Sequence, residues 1–460
     1  MKRKPNQTSR REFLIRGTQA AAGIVAAGSL ASCTATKTRP LAKGSVIGAN
    51  ERINMAVIGI RSRGMSHATG FGGMENVHVK TLVDVDENLF AERVKKVEGV
   101  QGTAPGVEWD MRRVFDDKEI DAVAMATPNH WHSLGAIWAC QAGKHVFVEK
   151  PCSHNIFESR KMIDAARKYN CLVSVGFQNR SIKNVRQAMQ FLHDGGIGDV
   201  YMARGLCFKP RNSIGHKADE PVPEGVHYDL WLGPAPKRPF NRNRFHYEWH
   251  WNWDYGCGDT GNQGPHQFDI ARWGLNKDEH PVRVSSMGGY YAWDSDQETP
   301  NTQTSTFEYA DGKVLVFDTR GLFTNSDDGI RIGNLFYGTK GWMHLNGGTW
   351  KTYMGRKNEP GPSSKTAGEF ADPMNLAGAG GGGHYGNFIA ALRKGDRKYL
   401  TCDIYEGHMS TALPHLANIS YRVKSDLRFD GKTERFVDNK EANRLLTRDY
   451  REPYIVPETV

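Results

Sequence analysis

The chain contains no apolar run long enough to cross a bilayer as a permanent helix; its candidate, Ala20 to Gly28, is short and rich in alanine and glycine. Cysteine is scarce. There are seven in 460 residues, none in a Cys-x-x-Cys pair and none at zinc-finger spacing, which excludes a disulfide-stapled scaffold and gives no structural metal site to expect. The six beyond Cys33 read as buried small hydrophobes. Negative charge is in deficit, with a formal net charge of +9 and a pI near 9.0. Residues 1–43 hold nine of the basic residues and one acid, so the remaining 417 are close to neutral and a nucleic-acid role finds no support. No internal repeat is present. The glycine-rich stretch 378–383 lacks the Lys-Ser/Thr of a phosphate-cradling P-loop and reads as a loop before a helix. What remains, 39% hydrophobic and 24% charged residues, is the balance of a soluble globular protein of two or three domains.

Ser9-Arg10-Arg11-Glu12-Phe13-Leu14 ahead of the short apolar run resembles a twin-arginine export signal, which carries already folded proteins across the cytoplasmic membrane. Leu30-Ala31-Ser32-Cys33 resembles a lipobox, in which Cys33 becomes the lipidated new N-terminus; the alternative is ordinary cleavage nearby, leaving a plain thiol. Residues 1–32 are therefore expected as an export signal and 33–50 as a tether. The expected localisation is periplasmic or on the membrane facing the periplasm or cell surface, with membrane contact only through the lipid.

From residue 51 short apolar strands alternate with amphipathic helices. Ile53–Ile58, His78–Val83, Ala122–Ala126, His145–Val148 and Leu172–Val175 are the strands, and Leu89–Val97, Ser133–Ala142 and Phe157–Tyr169 carry the helical spacing. That rhythm predicts a Rossmann-like, doubly wound parallel sheet over 51–178. Beyond about residue 180, strands such as Thr304–Tyr309, Lys313–Thr319 and Ile330–Tyr337 follow one another through turns such as Asp311-Gly312. An α+β domain with a large, mostly antiparallel sheet is expected over 179–425, with helices near His384–Lys394 and Met409–Val423, then a C-terminal tail over 426–460.

After the first strand comes Gly59-Ile60-Arg61-Ser62-Arg63-Gly64, and the second strand ends at Asp84, 20 residues beyond Gly64. This is the setting of a dinucleotide fingerprint: glycines for the tight turn, a helix N-terminus for pyrophosphate, an acid for the ribose hydroxyls. Asp84 favours NAD over NADP. Arg61 stands where the fingerprint has its middle glycine, so the alternatives are an arginine that itself bonds phosphate or a simple strand-to-helix turn. Gly59, Arg61, Arg63 and Gly64 are the candidate phosphate-side contacts.

The next two strands end in Thr127-Pro128-Asn129-His130-Trp131-His132 and Glu149-Lys150-Pro151. With the fingerprint these segments resemble the Gfo/Idh/MocA family of nicotinamide-dependent sugar and cyclitol oxidoreductases, over about residues 51–425. The resemblance implies that Thr127 lines the nicotinamide side, that Asn129 and His132 lie near the cofactor ribose with Glu149 nearby, and that Lys150 reaches the reacting carbinol. A structural role for His130 and His132 stands beside these assignments. Gln178-Asn179-Arg180 marks the crossover into the second domain, with Gln178 a candidate cofactor contact and Arg180 a candidate sugar contact.

Farther on, Gly258 to Asp269 leads into an amphipathic run ending at Trp273. In the family this stretch carries an acid four residues before a histidine. His266 matches and is the expected general base, its ordinary pKa near 6.5 suiting removal of a hydroxyl proton. The acid's position is Asn262, a candidate substrate contact, so an orienting carboxylate is expected from Asp259 or Asp254. His246 to Tyr255 is dense in aromatics, with Trp249, Trp251 and Trp253 on one face if the segment is extended. It is either a sugar platform, with His250 and Trp251 as contacts, or a core or interface strand.

Three functions follow. One is an NAD-dependent oxidoreductase acting on a sugar or glycoside hydroxyl, with Lys150 and His266 catalytic. Another is a redox-neutral NAD-dependent glycoside hydrolase or lyase, which needs no pair of flanking carboxylates. The third is a non-catalytic carbohydrate-binding lipoprotein on the same fold. No metal is expected, and the resemblance implies a homo-oligomer.

Overall fold

A computed structural model describes residues 52–368, 370 and 383–460. The expected export signal, Cys33 and nearly all of the glycine-rich stretch lie outside the described residues. Among those described, no helix is long and apolar enough to cross a membrane.

The first domain runs β1 (Ile53–Ile58), α1 (Arg63–Gly72), β2 (Val77–Val83), α2 (Phe90–Gln101), β3 (Gly106–Glu108), α3 (Met111–Asp116), β4 (Ala122–Met125), α4 (Asn129–Gln141), β5 (His145–Val148), α5 (Ile156–Lys168) and β6 (Val173–Val175). The strands are all parallel, in the order β3-β2-β1-β4-β5-β6. This is the doubly wound arrangement, with its switch point between β1 and β4. The strands β1, β4 and β5 are almost fully buried on both faces, which is why they read as unbroken apolar runs rather than alternations.

The second domain continues with α6 (Lys183–His193), β7 (Val200–Cys207), α7 (Tyr228–Leu232), α8 (Gly258–Asn262), α9 (Gly264–Gly274), β8 (Arg283–Gly289), β9 (Thr302–Glu308), β10 (Val314–Arg320), β11 (Ile332–Gly338), β12 (Gly341–Asn346), β13 (Thr349–Met354) and β14 (Glu359–Ser363). It closes with α10 (Gly383–Lys394), α11 (Ile404–Val423), β15 (Leu427–Asp430), β16 (Arg435–Phe436) and α12 (Lys440–Arg444). Its ten strands order as β14-β13-β12-β11-β7-β10-β9-β8-β15-β16, antiparallel except for β7 beside β10. In β9 the alternation is clean: Gln303, Ser305 and Phe307 are buried and Thr304, Thr306 and Glu308 exposed, so one face packs on the core. Phe268 of α9 lies flat on Phe317 of β10, ring centroids 4.0 Å apart.

Residues 426–460 are integral to the fold rather than a free tail: β15 pairs with β8, and Tyr454 and Val456 are buried in the first domain's core. Six cysteines, Cys140, Cys152, Cys171, Cys207, Cys257 and Cys402, are free and buried among the described residues.

Candidate active site

A cavity of about 380 Å³ lies at the C-terminal ends of the first domain's central strands, where open α/β sheets take ligands. Gly59 ends β1 with φ +81°, and a Cβ there would sit 2.8 Å from the Ala126 carbonyl oxygen. A Cβ on Gly64 would overlap the Gly59 carbonyl at 1.6 Å, so glycine at both ends lets α1 start against the strand ends, although Gly64 itself is not on the cavity wall. Arg61 and Arg63 line the cavity. Asp84, at the end of β2, accepts from the backbone N–H of Ile60 at 2.8 Å and of Asp86 at 3.1 Å, bracing the turn. Burial raises its pKa to about 6, against the pull of those two N–H groups.

Thr127, Asn129 and Gln178 also line the cavity, and Thr127 Oγ1 and Asn129 Oδ1 are buried with no partner. Buried polar atoms are normally paired, so these two orphans mark where a polar ligand belongs. His132 differs from the expectation: its Nδ1 lies 2.7 Å from the Pro151 carbonyl and its Nε2 2.8 Å from that of Thr127. Both ring nitrogens face backbone acceptors, so His132, although it lines the cavity, braces two strand-end loops together. His130 bonds the Trp231 carbonyl at 2.9 Å, away from the cavity wall.

Glu149 accepts from Arg63 Nε at 2.6 Å and Gln178 Nε2 at 3.1 Å. Burial acts to raise its pKa, but Arg63, His67 and Lys150 prevail and hold it at about 2. Lys150 Nζ donates to the Asn262 carbonyl at 2.7 Å and lies 3.4 Å from Asn262 Oδ1. Burial, helped by Arg63 and Lys209, lowers the lysine's pKa; Glu149 and Asp259 oppose it. His266, in the first turn of α9, comes to the same end of the cavity from the second domain, with Nδ1 unpartnered. Burial and then Lys150 push its pKa down to about 3, so the ring is neutral and a far weaker base than an ordinary imidazole. The carboxylates expected to orient it are engaged elsewhere. Asp259 is clamped by Arg211 at 2.7 and 2.6 Å, and Asp254 pairs with Arg238.

The aromatic segment is not an extended strand. Glu248–Trp251 forms a 3-10 turn, closed as Glu248 Oε2 accepts from the Trp251 indole at 2.7 Å. Successive tryptophans therefore point apart. Trp249 and His250, stacked at 3.6 Å, line the cavity, while Trp251 lies in a separate polar depression under Arg211. Burial lowers the His250 pKa to about 3. Arg180 is also off the wall. It is buried, bonding Asp269 at 2.9 and 2.8 Å and Glu406 at 3.1 Å, because two acids from α9 and α11 neutralise it there. Sequence reasoning missed Trp109, which follows β3, stacks on His227 at 4.3 Å and lines the far end. With only three residues in β3, periodicity gave no signal.

These features fit NAD: a tight glycine turn at a helix N-terminus, an acid placed for a ribose diol, and orphaned Thr127 and Asn129 atoms farther along the wall. Residues 53–177 match the family described as "Oxidoreductase family, NAD-binding Rossmann fold", and residues 208–456 match its C-terminal alpha/beta domain. A levoglucosan dehydrogenase of Pseudarthrobacter phenanthrenivorans is 30% identical over 163 residues, 34% of this chain and 40% of that protein. A glycosyl hydrolase family 109 protein of Shewanella pealeana is 30% identical over 176 residues, 36% of this chain and 39% of its own. The chain thus matches about two fifths of the length of these curated relatives. The structure of a levoglucosan dehydrogenase in complex with NADH and levoglucosan superimposes with a TM-score of 0.62 at 18% identity, covering 82% of this chain and 99% of that one. Matched by family in both of its domains, the chain belongs to the Gfo/Idh/MocA oxidoreductases.

Proposed function

We propose that the protein oxidises a hydroxyl group of a sugar or glycoside. The observation that carries this reading is the convergence of Lys150 and His266, from different domains, at one end of a cleft whose other end suits a nucleotide. NAD, when bound, supplies the hydride acceptor. Lys150, its pKa lowered by burial, takes the hydroxyl proton, because lowering a lysine's pKa favours the neutral amine that can act as a base. His266, neutral throughout the physiological range, orients the hydroxyl rather than removing its proton. Asn262 holds the lysine in place through its carbonyl. In this reading the protein is exported, anchored through Cys33, and assembles as a homo-oligomer.

A redox-neutral glycoside hydrolysis is the second reading, favoured by one observation. Asp259, Asp254 and Glu149 are each paired with an arginine, so the site offers no free pair of carboxylates for ordinary glycoside hydrolysis. The relative named as a glycosyl hydrolase is in keeping with it. Nitrophenyl glycosides given to the NAD-loaded protein, with aglycone and NADH followed together, separate the two. Persistent stoichiometric NADH supports the dehydrogenase, repeated aglycone release with transient NADH supports the hydrolase, and silence in both channels across the panel counts against both.

A further inference from the structure

Beside His266 a second cavity of about 330 Å³ opens, sharing His266 and Gln178 with the cleft. That size is within the range of small-molecule sites, about 300–1,000 Å³. The two walls differ in chemistry. The cleft carries Arg61, Arg63, Asp84, Glu149 and Lys150, whereas no Asp, Glu, Lys or Arg lines the second cavity. Its polar groups, apart from His266, are the carboxamides of Gln178, Asn179, Gln263, Gln267, Asn334 and Asn346. Val185, Ile270, Ile332 and Leu345 supply aliphatic patches between them.

The fold assembles this wall from separate places. Gln263, His266 and Gln267 fall on one face at the start of α9, at spacings of three and four. The β12–β13 hairpin adds Asn346 and the bare backbone of Gly347 and Gly348, whose φ values of +55° and +87° suit its tight turn. Asn334, on β11, is fully buried; its Nδ2 donates to the Gln267 carbonyl at 2.8 Å, but its Oδ1 has no partner. Leaving a buried acceptor unpaired costs about 1–3 kcal/mol, and a ligand hydroxyl would supply the missing donor.

A carboxamide presents a donor and an acceptor on one planar head, and a hydroxyl both gives and takes a hydrogen bond, so six amides match a neutral polyol. With no cation in the wall, a phosphate or carboxylate would find no charge-assisted partner. The aliphatic patches suit the C–H faces of a sugar ring. The cleft must also hold the dinucleotide, so any saccharide longer than the reacting ring has to extend past His266. We propose that the second cavity binds the neighbouring sugar unit, making the substrate a neutral di- or oligosaccharide; this rests on the sugar-oxidising reading above.

The test is isothermal titration of the NAD-loaded protein with cellobiose, maltose and lactose, and with glucose and galactose. At least one disaccharide is expected to bind tenfold or more tightly than its constituent monosaccharides, and Gln263→Ala and Asn346→Ala each to erase that margin while NAD affinity stays unchanged. Equal binding of disaccharides and monosaccharides, no binding at all, or a margin that survives both substitutions would overturn the proposal. Turnover is read separately. A disaccharide bound with the margin but neither oxidised nor cleaved sinks the proposed function and leaves the subsite standing, whereas oxidation of monosaccharides with no disaccharide advantage does the reverse.

Discussion

At Lys150 two opposing fields meet: burial lowers the ammonium's pKa and Glu149 raises it, yet Glu149 is itself half spent on Arg63 at 2.6 Å. The net direction is down, which favours the neutral amine more than in an exposed lysine, while His266, pushed to about 3, is a far weaker base. Lys150→Ala should therefore cut turnover by about 10²–10⁴-fold, the usual yield of a positioned acid or base. NAD titration of the variant should match the wild type, and full activity would remove the lysine from the chemistry. Asp84 titrates in a more accessible range. Its pKa, raised by burial to about 6, means that the carboxylate needed to accept from a ribose diol is lost as pH falls through that value. NAD affinity measured by fluorescence titration should be constant above pH 7 and weaken on going to pH 5, and Asp84→Asn should flatten the curve. A wild-type affinity that does not change between those pH values would place the ribose elsewhere.

Among the helices, α5 shows how a local sequence signal becomes a pH-dependent stability. Asn155 caps it, accepting from the Glu158 N–H at 2.9 Å, and Glu158 reaches back to the N–H of His154, one residue before the cap, at 3.0 Å, a variation on the capping box. Burial raises the Glu158 pKa from 4.5 to about 7, so the folded protein holds this proton more tightly than the unfolded chain. The resulting stability is complete below about pH 4.5 and is lost as pH rises through about 7, a difference of roughly 3 kcal/mol. Urea midpoints at pH 5 and pH 8 should differ less in Glu158→Gln than in the wild type; an unchanged difference would assign the slope to other groups. The same locality explains what the sequence made legible. Gly59 to Asp84, Thr127 to Asn129 and Glu149-Lys150 each follow a strand and carry their meaning within a few residues. Trp249 to Trp253 did not, because the hydrogen bond from the Trp251 indole to Glu248 turns an alternating pattern into a 3-10 turn. Asp259 and Asp254 were misleading for a different reason: their arginine partners, Arg211 and Arg238, come from irregular segments on either side of α7, with no periodicity to reveal them.

Across the whole molecule the two domains are tied by a chain that crosses back. The helix α10 puts Phe388 and Leu392 into the first domain's core, and β6 is met by Cys402 and Asp403 on its outer edge. At that crossing Arg180, 6% exposed, joins Asp269 and Glu406, residues 89 and 226 positions away in sequence. Arg272 also pairs with Glu406, and Ser410 Oγ donates to Asp269 at 2.6 Å. No local pattern announces such a network, which is why Arg180 read as a sugar contact when only its position after β6 was known. Its burial gives the two roles different signatures. Removing one partner of a buried ion pair leaves the other charges uncompensated, at about 3–5 kcal/mol. Arg180→Leu should thus lower the melting temperature markedly while the sugar KM of the folded fraction, measured well below that temperature, stays at the wild-type value. A raised KM with an unaltered melting temperature would return Arg180 to the substrate and leave the domain crossing held by Arg272 alone.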